Sequence, residues 1–170
     1  MMNIGQVQKV LQNLLRERVS IRDLQTILET LADRAPMTKD TELLTEFTRQ
    51  KLSRSIIRQY ETPEGDLPLI TLGSDVEDIL AKSVHDTERG SYLSLDPQMG
   101  QAILEAVNRK MNIFAQHNYQ PLLLCSPIVR RHLRHLTERF IPNLVILSHN
   151  ELTPTVRLKV LGEARLGNAN

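Results

Sequence analysis

Apolar side chains recur at intervals of three and four over residues 4–60, which is the spacing of one buried helix face. The pattern predicts one helix over residues 4–18, a second that starts at Ile21 and a third over residues 40–60. Ser20 and Asp23 have the spacing of a capping box, so we expect Ser20 to cap the second helix. Short connections predict that the three helices pack as close neighbours. The apolar residues expected to face inward are Ile4, Val7, Val10, Leu11, Leu14, Leu15, Leu24, Ile27, Leu28, Leu31, Leu43, Leu44, Phe47, Leu52, Ile56 and Ile57.

The pattern changes at residues 62–66, where Pro, Gly and acidic residues favour a turn and mark the predicted domain boundary. Beyond this boundary, short apolar runs alternate with amphipathic segments. The predicted strands are residues 67–72, 91–95, 122–125 and 144–147, with an edge strand around residues 156–160. Strand–helix–strand units of this kind favour parallel pairing.

Two of the helix starts in this part have recognisable caps. Ser74 and Glu77 have capping-box spacing, so we expect a helix that begins at Ser74. Asp96 precedes a proline at the first helical position, and the helix that starts there is predicted to run to Phe114.

The fold class that follows is α+β. An N-terminal three-helix unit, residues 1–62, is followed by a small α/β subdomain, residues 66–163, and by a flexible tail, residues 164–170. The subdomain is expected to contain a mostly parallel sheet flanked by helices.

Residues 121–152 are the most informative stretch, because a basic helix lies between two fully apolar strands. Its apolar face is predicted to consist of Val129, Leu133, Leu136 and Phe140. Its other face carries four arginines, which are Arg130, Arg131, Arg134 and Arg139. One interpretation is a solvated helix face. The other is a contact surface for an acidic partner, since arginine binds carboxylates bidentately and is enriched at protein interfaces.

Composition excludes several classes of protein. The chain has 170 residues, a formal net charge of +1 and one cysteine, so a disulfide framework is excluded. No apolar run approaches the roughly 18 residues of a membrane span. Aromatic residues make up 4% of the chain, which argues against a surface that stacks nucleic-acid bases.

Candidate chemistry is sparse. Cys125 and Ser126 lie at the carboxyl end of a predicted parallel strand, where open α/β sheets bind ligands, so a small α/β enzyme or nucleotide-binding domain is the alternative interpretation. No residue that could act as a general base lies at a spacing typical of a catalytic motif, and the sequence contains no Gly-rich phosphate-binding loop. His132 and His135 with Cys125 could be drawn as a metal cluster, but neighbouring arginines would repel a cation. We therefore expect no catalytic, cofactor-binding or metal-binding residues.

Four stretches of the sequence closely resemble the export-gate proteins of type III secretion, the flagellar FlhA proteins and their injectisome counterparts. They are IGQVQKVLQNLLRERVSIRDLQTILETLAD, APMTKDTELLTEFTRQKLSR, GSYLSLDP and LLLCSPIVRRHLRHLTERFIPNLVILSHNEL. The resemblance runs in order from Ile4 to about Gly162. It implies that the chain corresponds to the third and fourth subdomains of the cytoplasmic portion of such a protein.

The resemblance also implies a function without enzymatic chemistry. Family members have a multi-span membrane domain in their N-terminal region, and their cytoplasmic portions form a nonameric ring below the export channel, on the cytoplasmic side of the bacterial inner membrane. The ring engages the stalk protein of the export ATPase complex. Chaperone–substrate complexes dock mainly on the first two subdomains, to which this chain does not correspond. The chain is thus expected to be a docking and assembly module that binds copies of itself and the stalk, and not nucleic acid.

Overall fold

A computed structural model describes residues 2–167 of the chain. It divides the chain into two compact units. The first, the helical unit, contains the residues up to Tyr60 together with Glu151–Thr155. The second, the sheet unit, contains Glu61–Asn150 and the residues from Val156 onward.

The helical unit contains four helices, α1 (Ile4–Arg16), α2 (Leu24–Arg34), α3 (Thr41–Lys51) and α4 (Ser53–Tyr60). Helices α1 and α2 both pack on α3. Asn3 caps α1 through a capping box with Gln6. The buried apolar residues of these helices are Val10, Leu14, Ile27, Leu31, Leu44, Ile56 and Ile57.

The prediction that Ser20 caps the second helix is wrong. Helix α2 begins at Leu24, and its N-cap is Asp23, whose Oδ1 accepts a hydrogen bond from the Thr26 backbone N–H at 3.1 Å. The Thr26 hydroxyl donates to the second carboxylate oxygen at 2.7 Å. Ser20 instead accepts from the backbone N–H of Arg22 at 3.3 Å. Asp23 therefore provides two acceptor oxygens at the helix start, where a serine would provide one hydroxyl.

Two further expectations for this unit are wrong. The predicted helix over residues 40–60 is interrupted at Leu52, whose backbone has left the helical region (φ −95°, ψ 10°) although the residue is buried. Several apolar residues expected inward are exposed, because each helix buries a narrower stripe than the pattern indicated. These are Ile4, Leu15, Leu24 and Leu28.

A buried ion pair joins α3 to the segment that returns to the helical unit. Arg49 and Glu151 are each 1% exposed, and the Arg49 Nε donates to Glu151 Oε2 at 2.6 Å. Arg49 Nη2 donates to the other carboxylate oxygen at 3.3 Å, and Nη1 lies 3.7 Å from Glu17 Oε2 on the α1 side. The bidentate geometry compensates the cost of burying both charges.

The sheet unit is built on four parallel strands, β1 (Asp66–Leu72), β4 (Leu122–Cys125), β5 (Val145–Ser148) and β6 (Arg157–Ala164). Their spatial order is β5-β4-β1-β6, so β5 and β6 are the two edges among the described residues. Strands β2 (Val84–Thr87) and β3 (Gly90–Leu93) form a separate antiparallel hairpin. The helices of this unit are α5 (Ser74–Ser83), α6 (Pro97–Asn108), α7 (Asn112–His117) and α8 (Pro127–Thr137), and a 3₁₀ turn occupies His149–Glu151.

The core of the sheet unit joins one face of the sheet to its helices. Its buried residues are Ile70, Leu72, Val76, Leu80, Ile103, Val107, Phe114, Leu123, Cys125, Val129, Leu133, Ile141, Leu144, Ile146 and Ala164. A helical unit followed by a parallel sheet with helices confirms the predicted α+β class.

Local details of the sheet unit differ from the sequence predictions. The segment predicted as a strand over residues 91–95 belongs to the β2–β3 hairpin and not to the main sheet. The helix predicted from Asp96 to Phe114 is divided into α6 and α7. The predicted capping box of α5 is not formed: its N-cap is Gly73, and the Glu77 carboxylate instead accepts from the Ser126 backbone N–H.

The prediction of a flexible tail over residues 164–170 is wrong where the chain is described. Ala164 ends strand β6 and is fully buried. The Leu166 backbone N–H donates to Asp75 Oδ2 at 3.1 Å, which ties this segment to the start of α5. Residues 168–170 lie outside the described residues.

Candidate interaction surface

Helix α8 carries three of the four arginines that the sequence placed on one exposed face, and Arg139 follows its end. The helix begins with Pro127 at its first position and connects β4 to β5. It packs against β5, α5, α6 and the β2 strand of the hairpin. Because neighbours surround the helix on several sides, much of its polar face is also covered.

Two of the four arginines are structural. Arg130 is 1% exposed, and the Arg134 side chain is 14% exposed. The Arg130 Nη1 donates to the Ile146 carbonyl at 3.1 Å, and the Arg134 Nη1 donates to the Leu144 carbonyl at 3.2 Å. The prediction that Arg130 and Arg134 are exposed is therefore wrong.

The carbonyls that receive these arginines belong to the free edge of the sheet. The Val145 backbone N–H donates to the Pro121 carbonyl at 3.0 Å, so Val145 points its peptide groups toward β4. Peptide groups alternate in direction along a parallel strand, and those of Leu144 and Ile146 consequently point away from β4. Arg130 and Arg134 thus occupy the places where a further strand would donate its N–H groups.

The other two arginines remain at the surface to different degrees. Arg131 is half-buried, and Arg139 is exposed. Arg139 follows the end of α8 at Thr137 and stands next to Phe140, which is 68% exposed. The prediction that Phe140 faces inward is wrong, because the helical periodicity ends before it and Ile141 turns into the core instead.

Phe140 and Ile141 form one wall of a shallow groove of about 210 Å³. The opposite wall is the outer face of α6. The lining residues are Gln101, Leu104, Glu105, Asn108, Phe140 and Ile141. The groove combines an apolar floor with amide and carboxylate groups at its rim, which is the composition of a protein-binding surface. The residues from Arg139 to Ile141 together with these α6 residues are called the Phe140 groove below.

Sequence reasoning missed the Phe140 groove because it extended α8 to residue 140. Pro142 indicates only that the helix ends at or before Ile141, so no local signal placed the stop at Thr137. A helix stop at Thr137 would have left Phe140 without a buried position.

The strand end at Cys125 and Ser126 does not form a ligand site. The Cys125 thiol is fully buried in the core cluster. The Ser126 backbone N–H, at the start of α8, donates to Glu77 Oε1 at 3.1 Å. A helix start is where an anion would bind, and here a carboxylate of the same chain already takes that position.

The histidines of α8 do not form a metal centre. His132 is 4% exposed, and its Nε2 lies 3.1 Å from the Ser91 hydroxyl on the hairpin. His135 Nδ1 lies 3.9 Å from Glu138 Oε1. Within residues 2–167, no group of three or more His, Cys, Asp or Glu side chains has an arrangement that could hold a metal ion. No helix in the described part of the chain is both long and apolar enough to cross a bilayer.

Comparison with known proteins gives concordant relatives. Residues 1–157 match the FHIPEP family. The flagellar biosynthesis protein FlhA of Bacillus subtilis is 42% identical over 161 residues, which are 95% of this chain and 24% of that protein. The chain thus spans about a quarter of the length of this curated relative.

Two solved structures have the same fold. The cytosolic domain of EscV from the type III secretion system, determined as a nonamer, is 33% identical with a TM-score of 0.79, and the match covers 95% of this chain and 47% of that one. The CdsV protein of Chlamydia pneumoniae, determined in complex with CdsO, is 31% identical with a TM-score of 0.86, over 95% and 48% of the two chains. Family, sequence and fold agree, and the chain belongs to the FHIPEP family.

Proposed function

We propose that this chain is a docking and assembly module of a type III export gate, and that it acts on the cytoplasmic side of the bacterial inner membrane. In this role it joins copies of itself in a ring below the export channel and binds the stalk protein of the export ATPase complex. The observation that carries the proposal is the likeness to a nonameric cytosolic domain and to a CdsV–CdsO complex over 95% of the chain.

The Phe140 groove is the surface that we assign to the stalk protein. Phe140 has 68% of its surface exposed, and aromatic residues are enriched in protein interfaces. Arg139 stands beside it and offers a bidentate partner for a carboxylate. The groove thus pairs an apolar anchor with one basic residue, next to the amide and carboxylate groups of α6. Of the four arginines first considered, Arg139 is the one that this assignment retains, because it is exposed and adjacent to Phe140.

Binding of the purified stalk protein to this chain, measured by isothermal titration calorimetry, tests the proposal. Phe140→Ala removes the apolar anchor, and we expect binding to weaken at least tenfold, as for an interface hot spot. Leu15→Ala is the matched control, because it truncates another exposed apolar residue in the helical unit. Equal stalk affinity of the Phe140→Ala and Leu15→Ala variants would contradict the assignment. An absence of binding by the unaltered chain would contradict the stalk-binding function itself.

The observations do not favour the enzymatic alternative. A nucleotide-binding or catalytic site at the Cys125–Ser126 strand end needs free helix-start N–H groups, and Glu77 holds the one at Ser126. Chaperone–substrate complexes belong to the proposed context as further partners, and the resemblance places their docking mainly on subdomains to which this chain does not correspond.

A further inference from the structure

The two edge strands of the parallel sheet differ in the hydrogen bonding of their outward carbonyl groups. At the β5 edge, Arg130 and Arg134 donate to the outward carbonyls of Ile146 and Leu144. At the other edge, β6 is paired with β1 alone, and within residues 2–167 no side chain donates to an outward carbonyl of β6 itself. The carbonyl of Arg165, just beyond the end of the strand, accepts from Arg109. A strand edge with free peptide groups is a template for the addition of another strand.

The first half of β6 also exposes apolar side chains. Leu158 is 41% exposed and Val160 is 57% exposed. In the parallel register they lie beside Leu67 and Leu69, which are fully buried. The two exposed side chains therefore continue a buried apolar row to the edge of the sheet, where an added strand would cover them.

Basic side chains surround this edge. Lys159 Nζ lies 3.2 Å from the Tyr119 hydroxyl, Arg109 Nη2 donates to the Arg165 carbonyl at 3.4 Å, and Lys110 lies against Gly162 of β6. Among the described residues, no carboxylate lies within salt-bridge distance of Lys159, Arg109 or Lys110. Lys159, Arg109 and Lys110 therefore form a basic rim along an open strand edge, without a carboxylate partner in the described part of the chain. Such a rim favours an acidic binding partner.

We propose that the outer edge of β6 binds an extended acidic segment of a partner protein, which adds a fifth strand to the sheet. Backbone hydrogen bonds to β6 hold the segment, alternate apolar side chains cover Leu158 and Val160, and carboxylates on the other face pair with Lys159, Arg109 and Lys110. A second copy is disfavoured as the occupant, because its own β6 carries two basic residues, Arg157 and Lys159, against one acidic residue, Glu163, and would bring a net positive strand to a basic edge. This inference does not depend on the stalk-binding assignment, which concerns a different surface.

Fluorescence anisotropy with three synthetic octapeptides tests this inference. The first peptide alternates glutamate and valine, the second alternates lysine and valine, and the third repeats the first with every peptide nitrogen methylated, so that neither edge of the peptide can donate. We expect saturable binding of the glutamate peptide alone. N-methylation removes the strand-pairing N–H groups, so the third peptide should not bind if the segment adds as a strand.

Two variants of the chain complete the test. Lys159→Glu reverses one charge at the edge, and we expect the glutamate peptide to bind at least about threefold more weakly. Lys9→Glu makes the same charge change on an exposed position of α1, and should leave binding unchanged. If the methylated peptide bound as tightly as the unmethylated glutamate peptide, charge alone would explain the binding, and the proposal would be overturned. Failure of the glutamate peptide to bind, or dimerisation of the chain that Lys159→Glu abolishes, would overturn it as well.

Discussion

At the scale of single residues, charge on a helix face did not indicate exposure. Arg130 and Arg134 lie on the polar face of α8, yet their guanidinium groups are used inside the sheet unit, on the outward carbonyls of β5. A buried carbonyl without a partner is costly, and an arginine that reaches it also satisfies its own donors. These two residues therefore substitute for a strand that the sheet lacks at this edge.

Truncation of Arg130 should destabilise the protein. Arg130→Ala leaves the Ile146 carbonyl without this donor and opens space in a buried region, so we expect a loss of about 2–3 kcal/mol in the free energy of unfolding. Arg139→Ala, at an exposed position, should stay within about 0.5 kcal/mol of the unaltered chain. Urea denaturation followed by circular dichroism measures both. An unchanged midpoint for Arg130→Ala would show that the edge contact contributes nothing to stability.

The residues that the sequence left unpredicted are those whose roles depend on distant partners. Arg49 and Glu151 are separated by 102 positions, and no local pattern relates them. Likewise, the pairing of Glu77 with Ser126 depends on the approach of two helix starts that follow the neighbouring strands β1 and β4. The spacing of Ser74 and Glu77 predicted a capping box. In the structure the Glu77 carboxylate accepts a hydrogen bond from the Ser126 N–H instead.

At the scale of elements, strands were predicted well and helix boundaries less well. The apolar runs at residues 67–72, 122–125 and 144–147 lie within one residue of β1, β4 and β5. Four-residue apolar runs bounded by turn residues have few alternatives in an α/β unit. Helix limits depend instead on caps and on breaks such as Leu52, which follows no glycine or proline. The stop of α8 at Thr137 decided whether Phe140 was buried or exposed.

The start of α2 provides a test at this scale. Asp23→Ala removes the observed cap, and we expect the melting temperature to fall by about 2–4 °C at pH 7. Ser20→Ala is the control, and should have a smaller effect because Ser20 makes no contact with the helix start. If Ser20→Ala lowered the melting temperature more than Asp23→Ala, the observed cap would be incorrect.

The contribution of Asp23 should depend on pH. Hydrogen bonds from the Thr26 hydroxyl and then from its backbone N–H lower the pKa of the Asp23 carboxyl in the folded protein. The carboxylate therefore stabilises the fold above the unfolded pKa of about 3.9, and this contribution is lost as the pH falls through the lower folded pKa. The difference in melting temperature between the unaltered chain and Asp23→Ala should be constant above about pH 5 and shrink below about pH 4.

At the scale of the whole molecule, the chain forms two compact units, and one short segment returns to the first of them. The chain passes from the helical unit to the sheet unit after Tyr60, and returns to the helical unit for Glu151–Thr155. The predicted domain boundary near residue 62 did not assign Glu151–Thr155 to the helical unit. A segment of five residues is too short to show a periodicity that would indicate its unit. Membership of the family was predicted from the resemblance of four sequence stretches, and not from residue patterns alone.

The central claim is that the Phe140 groove meets the stalk protein in a working export gate. The most direct measurement is site-specific photo-crosslinking in secreting cells, with benzoylphenylalanine in place of Phe140 in the full-length export-gate protein. Ile128, which is 65% exposed at the start of α8, is the control position of similar exposure. We expect an adduct with the stalk protein from position 140 and none from position 128. Normal export without a stalk adduct from position 140 would contradict the account.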